Sequence, residues 1–153
     1  MTDQQPLPAP EAQPSRFVTT APDGHGHADG GAAAEAFAID LARLMHDDKC
    51  TQVSVLDVRG LSPITNFLVI GSGTSERQMR SVMDHAVDLA AEQRIEPYRL
   101  TKDAGAHWLI ADFVDVVVHL FEPNTRAHYD LEMLWGDARE VPWQRPGERR
   151  PAE

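Results

Sequence analysis

Ser75 followed three positions later by Gln78 is the feature that most narrows what this chain can form. A hydroxyl at the N-cap and a glutamine one turn on satisfy the orphaned donors of a helix start. Behind this capping box, Met79, Val82, Met83, Ala86, Leu89 and Ala90 recur at helical spacing, so one face of the helix must find a core. Ahead of it, the apolar run Phe67 to Ile70 enters Gly71-Ser72-Gly73, as a buried strand does when it turns tightly into a helix. A strand delivered into an amphipathic helix already points to an α/β arrangement.

The remaining periodicities extend that unit. Ala32 to Lys49 places Phe37, Leu41, Leu44 and Met45 at helical spacing. Gln52 to Val58 alternates, with Val53, Val55 and Asp57 against Ser54, Leu56 and Val58. Pro97 marks the end region of the second helix, after which Tyr98 to Thr101, His107 to Phe113 and Val116 to Phe121 read as strands. Asn124 can cap a last helix carrying Tyr129, Leu131, Met133, Leu134 and Trp135, closed by Gly136. The predicted order α-β-β-α-β-β-β-α is an α+β single domain, a mixed five-stranded sheet flanked by helices and not a regular βαβ repeat.

Length limits the chain to one such domain, since 153 residues with 42% hydrophobic content enclose one core. Residues 1–31, with Pro6, Pro8, Pro10, Pro14, Pro22 and a Gly-rich stretch, bury too little to offset the entropy of ordering and read as a disordered tail. The domain then spans 32–139, and 140–153, rich in Pro and charge, reads as a flexible C-terminal tail. The start lacks the apolar run of a signal peptide and the Arg-rich character of a transit peptide, and no stretch approaches the ~18 apolar residues of a membrane span. With Cys50 as the only cysteine, a disulfide framework and a CxxC zinc pair are both excluded, and a reducing cytoplasm is the expected location. A net charge of -10 argues against a protein held to nucleic acid by a basic surface.

Catalytic chemistry finds little support. The turn Gly71 to Ser75 opens a helix whose free N–H groups could cradle phosphate, which keeps a nucleotide-binding or nucleotidyltransferase-like enzyme as the alternative reading. That turn lacks the P-loop lysine, the complete dinucleotide glycine pattern, and the pair of acids on the next strand that a Mg²⁺-dependent transferase needs. Cys50 with His46 one turn back has a spacing that allows contact, but a lone cysteine at a helix end is ordinarily packing. His25 and His27 on a glycine-rich stretch lack further ligands, so no metal and no cofactor are expected.

The strand His107 to Phe113 is more informative. Alternation sets Trp108, Ile110 and Asp112 on one face and Leu109, Ala111 and Phe113 on the other. On the following strand, Val116, Val118 and Leu120 share a face, which leaves His119 opposite with Val117 and Phe121. A tryptophan and a carboxylate together on one exposed face suit a protein interface, the other readings being that Trp108 is simply core and His119 a satisfied, half-buried histidine.

Five blocks in order carry a resemblance: Leu56 to Ser62 with Thr65-Asn66-Phe67, then Gly73 to Gln78, Trp108 to Asp112, Asp115 to His119, and Tyr129 to Asp137. From about residue 35 to 139 the chain resembles the ribosomal silencing factor S, or Iojap-like, family. The resemblance implies a fold related to nucleotidyltransferases without their catalytic residues, and a non-enzymatic role. It implies docking on the large ribosomal subunit through the ribosomal protein numbered fourteen, blockage of subunit joining, and a homodimer off the ribosome. The positions that match the family's partner surface are Trp108, Asp112, Phe113, Asp115, His119, Phe121 and Tyr129. One departure stands inside that surface: Val114 occupies a turn position where the family commonly has glycine, and a β-branched residue tolerates positive φ poorly, so a reshaped turn is expected.

Overall fold

The computed structural model describes residues 27–101, 107–125 and 135–147, with side chains from residue 31 onward. Helix α1 spans His27–Asp47, strand β1 Thr51–Asp57, β2 Phe67–Ser72, helix α2 Glu76–Glu92, β3 Arg99–Leu100, β4 Trp108–Asp112, β5 Val116–Phe121 and β6 Arg139–Glu140. The strands form one sheet in the order β3-β4-β5-β2-β1-β6. Every pairing is antiparallel except β2 with β5, which run parallel because α2 and the β3–β4 hairpin carry the chain across between them.

Local chemistry accounts for the helices. Ser75 is the N-cap of α2, with extended backbone and its hydroxyl accepting from the Gln78 N–H at 3.0 Å. The Gln78 side chain reaches back to the Thr74 N–H at 3.0 Å, one residue earlier than the capping box predicts. Both helices end in left-handed residues, Lys49 at φ 80° and Arg94 at φ 63°, and the Ile95 N–H bonds back to the Ala90 carbonyl at 2.8 Å. The second helix therefore stops at Glu92, before Pro97 is reached.

The helices cover one face of the sheet. Phe37, Leu41 and Met45 of α1 and Met79, Val82, Met83 and Ala86 of α2 join Val55, Phe67, Val69, Leu109, Ala111, Val116, Val118 and Leu120 in the main core. The opposite face carries a smaller cluster of Leu56, Val58, Leu68, Ile70 and Phe121, with Trp108, Val117, Trp135 and Ala138 packed against it. Because β2 is apolar on both faces, it lies buried along its whole length at the centre of the sheet.

Two expectations require correction. The sheet has six strands rather than five, because Arg139–Glu140 adds to the β1 edge with Leu56 opposite Glu140 and Asp57 opposite Arg139. The domain also continues past residue 139. Val141 and Trp143 are buried in the main core, and the Trp143 indole N–H donates to the Val53 carbonyl at 3.1 Å. Arg43 donates to the Trp143 carbonyl at 2.7 Å, and Arg145 pairs with both oxygens of Asp47 at 2.9 and 2.8 Å. Two apolar side chains and one arginine thus dock a stretch whose overall composition is that of a tail.

The boundaries at the other ends shift as well. Helix α1 starts at His27, five residues before Ala32, where the helical spacing begins in the sequence. The short helical run after β5 opens at Pro123, so Asn124 lies inside it and not at its cap. The rest of the predicted last helix, 126–134, lies outside the described residues.

Candidate functional face of the sheet

Registry decides which side chains can act together. On the face away from the helices, β3 contributes Arg99, β4 contributes Asp112, Ile110 and Trp108, and β5 contributes Val117, His119 and Phe121, each pair opposite in the ladder. Leu68, Ile70 and Ser72 continue the same rows on β2. Trp108 stacks on its cross-strand partner Phe121, with ring centroids 4.8 Å apart and planes 25° apart, while His119 lies 5.8 Å from Trp108 and 6.3 Å from Phe121. The Trp108 indole N–H donates to His119 Nδ1 at 3.0 Å. Indole nitrogen is only ever a donor, so Nδ1 must carry the lone pair and His119 must be neutral. Burial acts in the same direction and pushes the imidazole down to about 4.

The seven positions named from the sequence therefore separate. Trp108, Asp112, His119 and Phe121 share this face, with Phe121 fully buried beneath the indole and Trp108 and His119 half-buried. Phe113 points the other way, into the main core, edge-on to Phe37 at 5.3 Å between centroids. Asp115 stands at the β4–β5 turn, where lost solvation raises its carboxyl above the usual aspartate range and its carbonyl accepts from the Asn66 and Phe67 N–H groups. Tyr129 lies outside the described residues.

The turn itself takes an unexpected course. Val114 sits at φ 75°, with the Asp115 N–H bonded to the Phe113 carbonyl at 2.9 Å and the Phe113 N–H bonded to the Val116 carbonyl at 2.9 Å. The first of these closes a γ-turn around Val114. Asp112 Oδ1 accepts from the Val114 N–H at 2.8 Å. The backbone thus keeps the conformation that suits glycine and places valine in it, instead of reshaping to avoid it. Asp112 is 8% exposed and one of its oxygens already holds this turn, so it acts on the turn before it can act on any partner.

The alternative enzymatic sites are filled from within. At the start of α2, Ser75 Oγ and Gln78 Oε1 occupy two of the N–H groups that a phosphate could use, those of Gln78 and Thr74, and Glu76 adds negative charge there. A Cβ at Gly73 would collide with Met79, and one at Gly71 with Met45, so this turn is packed against side chains rather than hollowed for a ligand. Cys50 is buried, and desolvation pushes its thiol up to about 11, which removes the thiolate that nucleophilic attack requires. His46 lies beside the Trp143 ring, 5.6 Å between centroids. His85 pairs with Asp48 at 2.7 Å, a contact that raises its pKa.

Sequence reading missed one ionic cluster. Asp57, on β1, accepts from Arg59 Nε and Nη2 at 3.0 and 2.7 Å, from the Arg59 backbone N–H at 3.0 Å and from Arg139 at 2.9 Å. These bonds hold its carboxyl well below the usual carboxylate range, the Arg59 side chain contributing most. Arg59 also lies over the Phe67 ring at 5.0 Å. The signal was the short spacing of Asp57 and Arg59; Arg139, 82 positions on from Asp57, gave none. No helix of the described residues is long and apolar enough to cross a membrane.

Comparison with known proteins places this arrangement. The family profile described as "Ribosomal silencing factor during starvation" matches residues 32–153. A protein of Halalkalibacterium halodurans named ribosomal silencing factor RsfS is 43% identical over 95 residues, covering 62% of this chain and 81% of its own. The chloroplastic protein Iojap of Zea mays is 33% identical over 120 residues, 78% of this chain and 52% of that protein. A crystal structure of a protein from Bacillus halodurans superposes with a TM-score of 0.58 at 36% identity, covering 70% of this chain and 94% of that one.

Proposed function

Because the chain belongs to the ribosomal silencing factor family, we propose that it docks on the large ribosomal subunit through the Trp108–His119 face of its sheet and thereby keeps the small subunit from joining. The observation that carries this reading is the stacked Trp108–Phe121 pair on the face of the sheet opposite the two helices. A half-buried tryptophan backed by a fully buried ring is a preorganised anchor of the kind that dominates protein interfaces. The resemblance names the large-subunit ribosomal protein numbered fourteen as the docking partner. A chain of net charge -10 complements a basic ribosomal protein and is repelled by the surrounding RNA, which favours one docking place over many.

The mechanism is occupancy in the cytoplasm, without chemistry: an interface of ~1,200–2,000 Å² on the joining surface is enough to exclude the other subunit. Off the ribosome the same face would close against a second copy, giving a homodimer. Relatives named as silencing factors support this reading, as does the packed, internally capped start of α2.

The test is co-sedimentation of the purified protein with isolated large subunits, followed by addition of small subunits. The protein should pellet with large subunits and lower the fraction of joined ribosomes, and Trp108→Ala should weaken binding by well over tenfold. A protein that stays in the supernatant, or a Trp108→Ala variant that binds unchanged, overturns the assignment.

A further inference from the structure

Resting on the docking reading, we infer that His119 is a positioning and specificity residue: its neutral Nε2–H tautomer fixes the Trp108 indole and offers the Nε2–H to an acceptor oxygen of the docked protein. The tautomer follows from the geometry. Trp108 Nε1 can only donate, and it lies 3.0 Å from His119 Nδ1, so the single proton of a neutral imidazole is on Nε2. Three contacts then hold the indole: the hydrogen bond to His119, the stack on Phe121, and the β4–β5 ladder that sets Trp108 opposite Phe121 and Ile110 opposite His119. Rotation of the indole about its own side-chain bonds would break at least the first two.

The second nitrogen is left over. No described residue accepts from His119 Nε2, and the residue is half-buried, flanked in the ladder by Ile110 and Ile70. A donor fixed in direction and set among apolar side chains binds an acceptor well and an apolar group poorly, because a donor covered without a partner pays its full desolvation. The acceptor chemistry that fits is a protein oxygen, either a main-chain carbonyl or a side-chain amide or carboxylate. A phosphate oxygen fits less well, because Asp112 shares the face and the chain carries a net charge of -10.

Nitrogen-15 NMR of the free protein at pH 7 tests the tautomer without any ribosome. The expected spectrum shows the proton on Nε2 and a hydrogen-bonded Trp108 indole N–H; a proton on Nδ1 overturns the inference. Large-subunit sedimentation then tests the donor. His119→Asn keeps an acceptor near the Nδ1 position and removes the Nε2 donor, so the indole resonance should stay in place while binding weakens about tenfold. His119→Gln keeps an N–H near Nε2 and loses the acceptor, so the indole resonance should move while binding falls by no more than about threefold. Wild-type binding in His119→Asn overturns the donor role. A steep salt dependence that His119→Asn abolishes assigns the acceptor to phosphate and overturns the protein-oxygen assignment. If the wild-type chain itself fails to sediment, the docking reading falls, while the tautomer spectrum still decides the positioning role.

Discussion

Trp108 and His119 stand on neighbouring strands with the indole N–H of one 3.0 Å from the Nδ1 of the other, a bond that exists only while the imidazole is unprotonated. Protonation therefore opposes the native arrangement of this face. The folded pKa lies near 4, below the ~6.5 of an unfolded histidine, so between those values the unfolded chain binds the proton and the folded chain does not. This contribution to stability is complete above about pH 6.5 and is lost as pH falls toward 4. A pH series of urea denaturation should show the loss in wild type. In Trp108→Phe, which removes the indole donor but leaves the burial that depresses the imidazole, the NMR-measured pKa of His119 should remain below its ordinary value.

Val114 holds a β-branched side chain at φ 75°, a region that costs such residues of order 1–3 kcal/mol. Val114→Gly removes that strain and gives back part of the gain as unfolded-state entropy. The expected net effect is a stabilisation of about 1 kcal/mol, read as a higher urea midpoint with an unchanged slope. A lower midpoint would mean that the half-buried valine side chain contributes more through packing than its backbone costs.

Trp143→Ala removes a 6%-exposed side chain from the main core and leaves the Val53 carbonyl without its indole donor. Substitutions of this kind cost about 3–5 kcal/mol, a large share of the ~5–15 kcal/mol that holds an ordinary domain. Chemical denaturation should show the loss. If residues 140–147 were a dispensable tail, the midpoint would stay where it is.

Asp57→Asn tests the ionic cluster at the β1 edge. Its carboxyl titrates well below the ordinary value near 3.9, so its contribution is present above that pH and is lost as pH falls below it. Arg59 and Arg139 are about half exposed, which limits the effect at neutral pH to about 1 kcal/mol. The variant should match wild type in strong acid and fall below it at pH 7. Equal stability at both would assign the cluster no net role.

Cys50 should resist alkylation in the folded protein at pH 8, since its thiol is 5% exposed and its pKa is raised to about 11. Labelling should appear only as denaturant opens the core. Rapid native-state labelling would contradict the packing of Cys50 beside Gln78.

What the sequence made legible follows the range of the interactions involved. The start of α2 was readable because Ser75 and Gln78 satisfy each other's neighbourhood within one turn. The two faces of β4 and β5 were readable from alternation alone, which already set Phe113 opposite to Trp108. The resemblance pooled Phe113 with the surface residues, and the structure returns it to the core beside Phe37. The C-terminal segment was unreadable for the opposite reason. Val141 and Trp143 are two apolar residues among prolines and charges, and the group that receives the Trp143 indole lies 90 positions earlier, at Val53. The β6 strand is two residues long and has no periodicity to detect.

That same segment crosses from one side of the sheet to the other: Trp135 and Ala138 pack on the small cluster, β6 pairs with β1, and Val141 and Trp143 enter the main core. Synthesis proceeds from the opposite end, so a nascent chain has both helices and five strands in hand while the β1 edge is still uncovered and the slot for Trp143 still vacant. Until the last residues of this segment emerge from the translating ribosome, the half-built domain exposes a bare strand edge and an open apolar seam, the features by which unfinished chains associate. Interrupting translation just short of Trp143 should therefore yield a sticky product.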